Sequence, residues 1–294
     1  MSEPVLSKFF VGIDGGGTKC CAVIVDSHGK TLGKGIGGSA NAYQNLPQTQ
    51  TSIIDATRLA LFEAGLPETL MPELIAGVGL AGVNVPSVFT AMNQWQHPFK
   101  KMYLTTDLHI ACLGAHNGED GAVIITGTGS CGYSFVNGKT TIVGGHGFLL
   151  GDKGSGAWVG LEAVKAVLLA VDQVGPETIM STMLCDYLQV TDMMIVEKLT
   201  AATSGDYAKI ARIVLTAAQQ HDEVATKIVR EAASYIDAIA EKLLQMGSQR
   251  MSILGGLAVH LLPWLSEATT SHLSEPLAQP EFGAVLLAMQ KNKS

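Results

Sequence analysis

The sequence predicts an α/β protein with two related lobes, and a duplicated strand pattern is the main evidence. Residues 9–34 and 121–145 both read as a strand, a glycine-rich turn, a second strand, a Gly-Lys-Thr turn and a third strand. Stretches with helical spacing of apolar residues follow each copy. The chain has 294 residues, 47% of them hydrophobic, so it can bury two cores.

The first lobe is predicted to extend its hairpin sheet with β/α units. The predicted strands are 9–14, 19–25, 74–80 and 102–106, and the predicted helices are 51–64 and 87–94. Gly65 and Pro67 are expected to end the first of these helices.

The second lobe is predicted to repeat the three strands and then to become mostly helical. Its first strand is expected at 121–126, helices at 157–171 and 222–246, and a last strand at 251–254. A terminal helix, expected at 283–290, would return to the first lobe. The predicted domains are therefore 1–115 together with 283–294, and 116–282.

The two copies can be aligned through their glycines. Gly15 and Gly127 are 112 positions apart, whereas Gly29 and Gly138 are 109 apart, which predicts a middle strand shortened by three residues in the second copy. The same alignment sets Asp14 against Thr126, so only the first copy has a carboxylate beside its glycine turn. Two such turns facing each other across a cleft would present backbone N–H groups to a polyphosphate from both sides.

Composition and charge exclude several classes of protein. A net charge of -7 and a pI near 5.6 argue against nucleic-acid or anionic-membrane partners, which need clustered Lys and Arg. No apolar run approaches a membrane span, and residues 1–12 do not read as a signal peptide, so a cytoplasmic protein is expected. The five cysteines lack C-x-x-C spacing, which predicts neither a disulfide framework nor a zinc site.

Asp14 stands where the first strand meets the glycine turn, a position suited to a magnesium ion. Carboxylate oxygens bind Mg²⁺ directly or through water, and the neighbouring glycines let the backbone approach a phosphate. The second copy repeats the glycines between Thr126 and Ser130. The alternative is a plain glycine turn that Asp14 caps.

Asp107 follows a predicted strand and two threonines and precedes a helix-like run. In an α/β protein, a carboxylate at the C-terminal end of a strand is where a general base for a substrate hydroxyl would stand. The same position favours a helix N-cap, so the residues alone leave both interpretations open.

Three further segments suit a polar ligand. In the glycine-rich stretch 144–156, Asp152 has oxygens for two sugar hydroxyls or for a turn, and His146 is a weaker candidate that could instead be structural. Asn41 could offer its amide to a ligand or form a turn. The Gly255-Gly256 pair permits close approach of a flat ring or of a helix N-terminus.

These motifs, in this order, resemble the sugar kinase, Hsp70 and actin superfamily, and within it the BadF/BadG/BcrA/BcrD ATPase group with its N-acetylglucosamine and glucosamine kinases. The resemblance covers nearly the whole chain from Phe10. It implies an α/β fold of two ribonuclease H-like (actin-like ATPase) lobes with a central cleft, ATP and Mg²⁺ as cofactors, and a small amino sugar as partner. Relatives also suggest a homodimer.

The resemblance implies a role for each motif. Asp107 would take the proton from the sugar 6-hydroxyl as it attacks the γ-phosphate, and Asp14 would organise Mg²⁺. The nucleotide-binding residues would be Gly15, Gly16, Gly17, Thr18, Lys19, Gly127, Thr128, Gly129, Ser130, Gly255, Gly256, Leu257 and Ala258. The sugar-binding residues would be Asn41, Asp107, Gly127, His146, Asp152 and Ser155. Lys153, His146 and Phe148 depart from the pattern of relatives, in the loop that should read the sugar.

The leading functional hypothesis is an ATP-dependent kinase for the 6-hydroxyl of N-acetyl-D-glucosamine, with D-glucosamine as the first alternative. The second alternative is a 2-hydroxyacyl-CoA dehydratase activator, which would hold an iron-sulfur cluster between subunits through Cys112, Cys131 or Cys185. A third is a non-catalytic nucleotide or sugar sensor, against which the presence of both Asp14 and Asp107 argues.

Overall fold

The computed structural model describes residues 8–293, and the chain divides into two compact units. The first comprises the described residues up to Gly121 together with those from Glu275 onward, and the second is Ala122–Ser274. Residues 1–7, where no signal peptide is predicted, and residue 294, in the predicted returning segment, lie outside the described part.

The elements in chain order are as follows. The strands are β1 (Phe10–Gly15), β2 (Cys20–Val25), β3 (Thr31–Gly37), β4 (Ile75–Leu80), β5 (Lys101–Thr106), β6 (Gly121–Thr126), β7 (Ser130–Val136), β8 (Lys139–Gly144) and β9 (Met251–Leu254). The helices are α1 (Leu46–Glu63), α2 (Pro86–Asn93), α3 (Asp107–Ala115), α4 (Gly156–Val171), α5 (Met180–Leu188), α6 (Ile195–Leu199), α7 (Ser204–Gln219), α8 (Glu223–Gln245), α9 (Ala258–Leu261), α10 (Glu267–Thr270) and α11 (Pro280–Lys293). Short 3₁₀ helices cover Glu68–Glu73, Asp192–Met194 and Leu262–Trp264.

The first unit is built on a five-stranded sheet in the order β3-β2-β1-β4-β5. β1 pairs antiparallel with β2 and parallel with β4, which in turn pairs parallel with β5. Val11 and Ile13 face one hydrophobic cluster, and Phe10 faces another on the opposite side of the sheet. Burial on both faces explains why β1 reads as a continuous apolar run without polar alternation.

Helix α11 lies directly on the backbone of the first sheet. A Cβ added to Gly12 would come within 1.9 Å of the Glu281 carbonyl oxygen, and one added to Gly77 within 1.9 Å of the Ala284 carbonyl oxygen. Only glycine permits this approach, because any side chain on β1 or β4 would displace the helix. The packing holds Glu281 near the carboxyl end of β1.

The second unit has a four-stranded sheet in the order β8-β7-β6-β9, with β6 and β9 parallel. Helices α4, α7 and α8 supply most of its apolar core, which includes Val159, Ile210 and Ile236. The predicted helices at 157–171 and 222–246 and the strand at 251–254 are confirmed to within a residue at each end.

Two predicted helix starts come too late. Helix α1 begins at Leu46 and not at residue 51, because the Asn45 side chain accepts a hydrogen bond from the Gln48 N–H and Pro47 occupies an early position. Helix α11 begins at Pro280 and not at residue 283. In both cases the start is set by a cap or a proline, and apolar spacing does not reveal it.

The predicted alignment of the repeat is wrong by one residue at the glycine turn. The first turn closes with a hydrogen bond from Gly16 N to Lys19 O, and the second from Gly127 N to Gly129 O, so the second turn is one residue shorter. The middle strand is not shortened, since β2 has 6 residues and β7 has 7. Gly16 therefore corresponds to Gly127, and Asp14 corresponds to Ile125, not to Thr126.

Candidate active site

The first glycine turn is fixed by hydrogen bonds to its carbonyl oxygens. Ala81 N, just after β4, donates to Gly15 O at 2.8 Å, and Ala40 N donates to Gly16 O at 2.8 Å. The Ser39 hydroxyl adds a hydrogen bond to Gly17 O at 2.8 Å. None of these bonds uses an N–H group of the turn, so the bracing leaves the anion-binding side of the backbone available.

The second glycine turn is braced by the equivalent bonds. Leu257 N, just beyond β9, donates to Thr126 O at 3.1 Å, and Gly156 N donates to Gly127 O at 2.7 Å. The pattern matches the first unit strand for strand, with β9 in the place of β4. The two turns are therefore the same structural device, as the duplicated sequence predicts.

Six of the seven glycines in the predicted nucleotide motifs fall into two groups; the seventh is Gly16, where an added Cβ would make an ordinary contact with the Lys19 carbonyl oxygen at 3.7 Å. At the first group an added Cβ would meet no atom within 4 Å; these are Gly17, Gly127 and Gly256. At the second group the space is already filled by the protein; these are Gly15 by Leu80, Gly129 by Asp152 and Gly255 by the Thr126 carbonyl. The first group suits close approach of a ligand, whereas the second is required by the fold itself.

Two carboxylates stand at the C-terminal edge of the first sheet. Asp14 lies beside Gly79 on β4, and Gly79 lies beside Thr105 on β5, two residues before Asp107. Burial, repulsion from Asp107 and repulsion from Glu281 raise the pKa of Asp14 to about 7, against a smaller opposite effect of Lys19. A cation beside these half-buried carboxyl groups would favour their charged forms and lower their pKa values again.

Asp107 is the first residue of α3, but it is not the helix cap. The hydroxyl of Thr106 accepts from His109 N at 3.2 Å and caps the helix, while the Asp107 carboxylate accepts from Leu108 N at 2.9 Å. Burial raises the pKa of Asp107, although the hydrogen bond from Leu108 opposes the shift. The capping alternative therefore belongs to the neighbouring threonine.

Thr18, Lys19 and Asn41 surround the first turn. Thr18 and Lys19 are exposed at its tip. The Asn41 amide oxygen accepts from Tyr43 N at 3.1 Å and Gln44 N at 3.2 Å, so it forms a turn and leaves the amide nitrogen as the group for a ligand.

The glycine-rich stretch before α4 holds its polar side chains in different ways. Asp152 is 8% exposed and accepts from Gly147 N at 3.1 Å, while His146 is exposed. Burial raises the pKa of Asp152. Ser155 is fully buried and caps α4 by accepting from Trp158 N at 3.1 Å, which accounts for a serine at this position.

The Lys153 side chain contacts Glu231 and Trp158. Its ammonium group is 2.6 Å from a carboxylate oxygen of Glu231 and 5.5 Å from the ring centroid of Trp158. These two contacts explain the lysine that departs from the pattern of relatives.

A cavity of about 300 Å³ in the second unit brings the predicted phosphate and adenosine motifs together. It is lined by Gly127, Thr128, Gly156, Ala208, Ala211, Arg212, Leu215, Gly256, Leu257 and His260. Ala258, also predicted to lie under adenosine, is buried as the first residue of α9. The α7 side chains were not predicted, because helical spacing shows which face of α7 is buried but not that residues 208–215 line a cavity.

A larger cavity, of about 660 Å³, lies between α4 and α8 and contains none of the predicted site residues. Among the described residues no group of three His, Cys, Asp or Glu side chains could by itself hold a metal ion. No helix within residues 8–293 is both long and apolar enough to cross a membrane.

The two sheets and their glycine turns define an actin-like ATPase fold of ribonuclease H-like lobes. A Streptomyces griseus ROK family glucokinase, solved with glucose and AMPPNP, shares this fold with a TM-score of 0.54 at 20% identity, over 96% of this chain and 99% of that one. The model of the BadF/BadG/BcrA/BcrD ATPase family matches residues 11–288. The chain belongs to that family.

Two relatives with similar sequences are amino-sugar kinases. A glucosamine kinase of Vibrio cholerae is 34% identical over 281 residues, 96% of each chain. An N-acetyl-D-glucosamine kinase of Dictyostelium discoideum is 28% identical, over 97% of this chain and 99% of the relative. The crystal structure of a candidate N-acetylglucosamine kinase from Chromobacterium violaceum matches with a TM-score of 0.89 at 28% identity, over 97% of this chain and 99% of that one.

We predict that substitution by alanine destabilises the protein far more at Gly255 than at the adjacent Gly256. Gly255 has φ of +105°, and its added Cβ would lie 2.3 Å from the Thr126 carbonyl oxygen, whereas at Gly256 it would meet nothing. Gly255→Ala should cost about 2–4 kcal/mol of stability from strain and overpacking, and Gly256→Ala well under about 1 kcal/mol. Thermal unfolding of both variants tests this, and equal melting temperatures would contradict it.

Asp14→Asn should stabilise the ligand-free protein at pH 8. A carboxyl group with pKa 3.8 when unfolded and about 7 when folded favours folding fully only below the lower value, and this contribution is lost as pH rises through 7. Removing the charge should gain about 2–4 kcal/mol at pH 8 and progressively less toward pH 5. Unfolding of Asp14→Asn and of the exposed Asp172→Asn at both pH values checks this. Destabilisation by Asp14→Asn at pH 8 would contradict it.

Proposed function

We propose that this protein transfers the γ-phosphoryl group of ATP to the 6-hydroxyl of an amino sugar. The observation that carries the proposal is the half-buried Asp107, which directly follows β5 and lies in the same unit as a braced glycine turn and the second carboxylate, Asp14. The relatives named above add the class of acceptor.

Asp107 is proposed as the general base. A base works best when its pKa approaches the working pH, and burial moves the pKa of Asp107 in that direction. Its hydrogen bond from Leu108 N holds one carboxylate oxygen in place. The other oxygen would accept the proton of the sugar hydroxyl as that hydroxyl attacks phosphorus.

Asp14 is proposed to bind Mg²⁺ directly or through a water molecule. Protein sites for Mg²⁺ commonly supply one or two carboxylates and leave the remaining positions to substrate phosphates and water. Asp14 fits such a site, because a bound cation would offset the repulsion that Asp107 and Glu281 exert on its carboxylate. Bound there, the ion would neutralise charge on the phosphates. The exposed Lys19 ammonium would supply a second positive charge near the same turn.

The cavity of the second unit is proposed to hold the nucleotide. Gly127 and Thr128 would face its phosphates, while Gly256 and Leu257 would lie against the adenosine. The openings at Gly17 and Gly127 supply the clearance that a phosphate needs to reach backbone N–H groups. Arg212 adds a guanidinium group to the wall, where it would attract the polyanion.

In the first unit, Asn41 and Asp107 are proposed to contact the acceptor sugar. D-glucosamine is placed first among acceptors, since the relative with 34% identity is a glucosamine kinase. N-acetyl-D-glucosamine, placed first on sequence alone, is the second candidate and is favoured by the Chromobacterium violaceum structure. Acidic groups at Asp14, Asp107 and Glu281 also favour a sugar that carries an ammonium group.

The acceptor test is a comparison of kcat/KM for D-glucosamine, N-acetyl-D-glucosamine and D-glucose, with ADP release as the readout. The proposal predicts the highest value for one of the two amino sugars. Equal turnover of all three would contradict an amino-sugar kinase. No turnover of any would contradict the kinase itself.

Asp107→Asn should lower kcat by about 10²–10⁴, because the amide cannot accept the hydroxyl proton. The matched control is Asp192→Asn, since Asp192 is an exposed acid in a first helical turn whose carboxylate accepts from the next residue's N–H at 2.8 Å. ADP affinity should stay within about threefold in both variants, as measured by calorimetry. Near-normal kcat for Asp107→Asn would show that another group is the base.

Arg212→Ala should raise the KM for ATP about three- to tenfold with little change in kcat at saturation, as expected when uniform binding is lost. Arg230→Ala on α8, an exposed arginine outside this cavity, is the control. A KM unchanged by Arg212→Ala would remove this residue from the nucleotide site.

A further inference from the structure

The second copy of the repeat contains an insertion that the first lacks. In the first copy, β3 ends at Gly37 and Ala40 N already donates to the glycine turn. In the second, β8 ends at Gly144 and the equivalent bond comes from Gly156 N. Residues 145–155, here called the insertion loop, therefore occupy the place of a two-residue connection.

The insertion loop is fastened to the second glycine turn at its C-terminal end. The Thr126 hydroxyl donates to Gly154 O at 2.9 Å, and the Ser130 hydroxyl donates to Lys153 O at 2.7 Å. Both hydroxyl groups flank the turn, one from β6 and one from β7. The loop and the turn are consequently one hydrogen-bonded assembly within the second unit.

Asp152 connects the rest of the insertion loop to the same turn. Its backbone is left-handed, with φ of +55°, and its Oδ1 accepts from Gly147 N at 3.1 Å. Its Oδ2 lies where Gly129 has no side chain, since a Cβ on Gly129 would be 2.8 Å from that oxygen. The buried carboxylate thus spans from the middle of the loop to the tip of the turn.

We propose that Asp152 is a positioning residue for the nucleotide-phosphate turn, in addition to the sugar contact considered above. Its carboxylate, packed against Gly129 and anchored by Gly147, fixes the shape of residues 127–129. Gly129 is then required because it admits this carboxylate, not because a phosphate needs its clearance. The inference rests on the proposed function, in which these residues bind nucleotide phosphates.

A shared carboxylate would also couple the two substrates. A sugar that hydrogen-bonds to Asp152 would act on the group that supports the phosphate turn, and by thermodynamic reciprocity nucleotide binding would alter sugar affinity by the same factor. A residue that contacts only the sugar would have no effect on nucleotide affinity when sugar is absent.

The test is calorimetric titration of the full chain with ADP and Mg²⁺ in the absence of sugar. Asp152→Ala should raise the Kd for ADP about tenfold or more, as expected when hydrogen bonds to a charged group are lost. The control Asp172→Ala, an exposed aspartate at the other end of α4, should leave it unchanged. An unchanged Kd for Asp152→Ala would overturn the inference.

Asp152→Asn separates positioning from charge and serves if the alanine variant does not fold. The amide oxygen can still accept from Gly147 N, so the Kd for ADP should stay within about threefold of wild type while sugar phosphorylation falls. A Kd for ADP that rises in Asp152→Asn as far as phosphorylation falls would contradict the inference.

A double-mutant cycle with Gly129→Ala tests the contact itself. Gly129→Ala should weaken ADP binding about tenfold in the wild-type background, because the new Cβ displaces the carboxylate, but only slightly in the Asp152→Ala background, where the carboxylate is already absent. Fully additive effects would overturn the inference.

Wild-type protein that binds no ADP would overturn the proposed nucleotide site and this inference together. ADP binding without sugar turnover would contradict only the kinase proposal.

Discussion

Both glycine turns depend on hydrogen bonds that their carbonyl oxygens accept from backbone N–H groups of other segments of the same unit. In the first unit Ala81 and Ala40 donate these bonds, and in the second Leu257 and Gly156 do so. A glycine-rich turn is costly to order because glycine loses much backbone entropy on folding. Bracing through carbonyls uses no N–H group of the turn, although the N–H groups of Gly16 and Gly127 are used separately, to close the turns. Strands β4 and β9 occupy equivalent places in the two sheets, and the residues that follow them, Ala81 and Leu257, are positioned to donate these hydrogen bonds.

The same brace supports different chemistry in each unit. The first unit adds carboxylates, with Asp14 before the turn and Asp107 at the end of β5, and α11 holds Glu281 near them through close packing on Gly12. The second unit has Ile125 in the place of Asp14 and adds the insertion loop and the cavity below α7. In the proposed function, the first copy of the duplicated framework would supply the acid-base and metal-binding groups, and the second copy would supply the nucleotide-binding surface.

Much of the fold could be predicted because glycines and strand composition mark every turn of the repeat. The strands and the longest helix follow from apolar patterning, and fold class and family are confirmed. The alignment of the two copies was wrong because matching glycine identities hides a turn that is shorter by one residue. The start of α1 was wrong because Asn45 and Pro47 set it, not apolar spacing.

The candidate site was predictable as residue types but not as contacts. The sequence could not separate Thr106, which caps α3, from Asp107, which does not, since either residue can cap a helix. It also could not assign Gly129 to the Asp152 carboxylate or Arg212 to a cavity, because both depend on segments far apart in the chain. Such long-range contacts decide which glycines have open space beside them, as Gly127 does, and which are filled by another part of the chain, as Gly129 is by Asp152.

The most direct test of the central claim is to identify the product made from ATP, Mg²⁺ and D-glucosamine or N-acetyl-D-glucosamine by the purified protein. Phosphorus and proton NMR would report both the new phosphomonoester and the sugar oxygen that carries it. A kinase for the 6-hydroxyl would form one 6-phosphate for each ADP released. Phosphate on another sugar oxygen, or ADP formed with inorganic phosphate and no phosphorylated sugar, would contradict it.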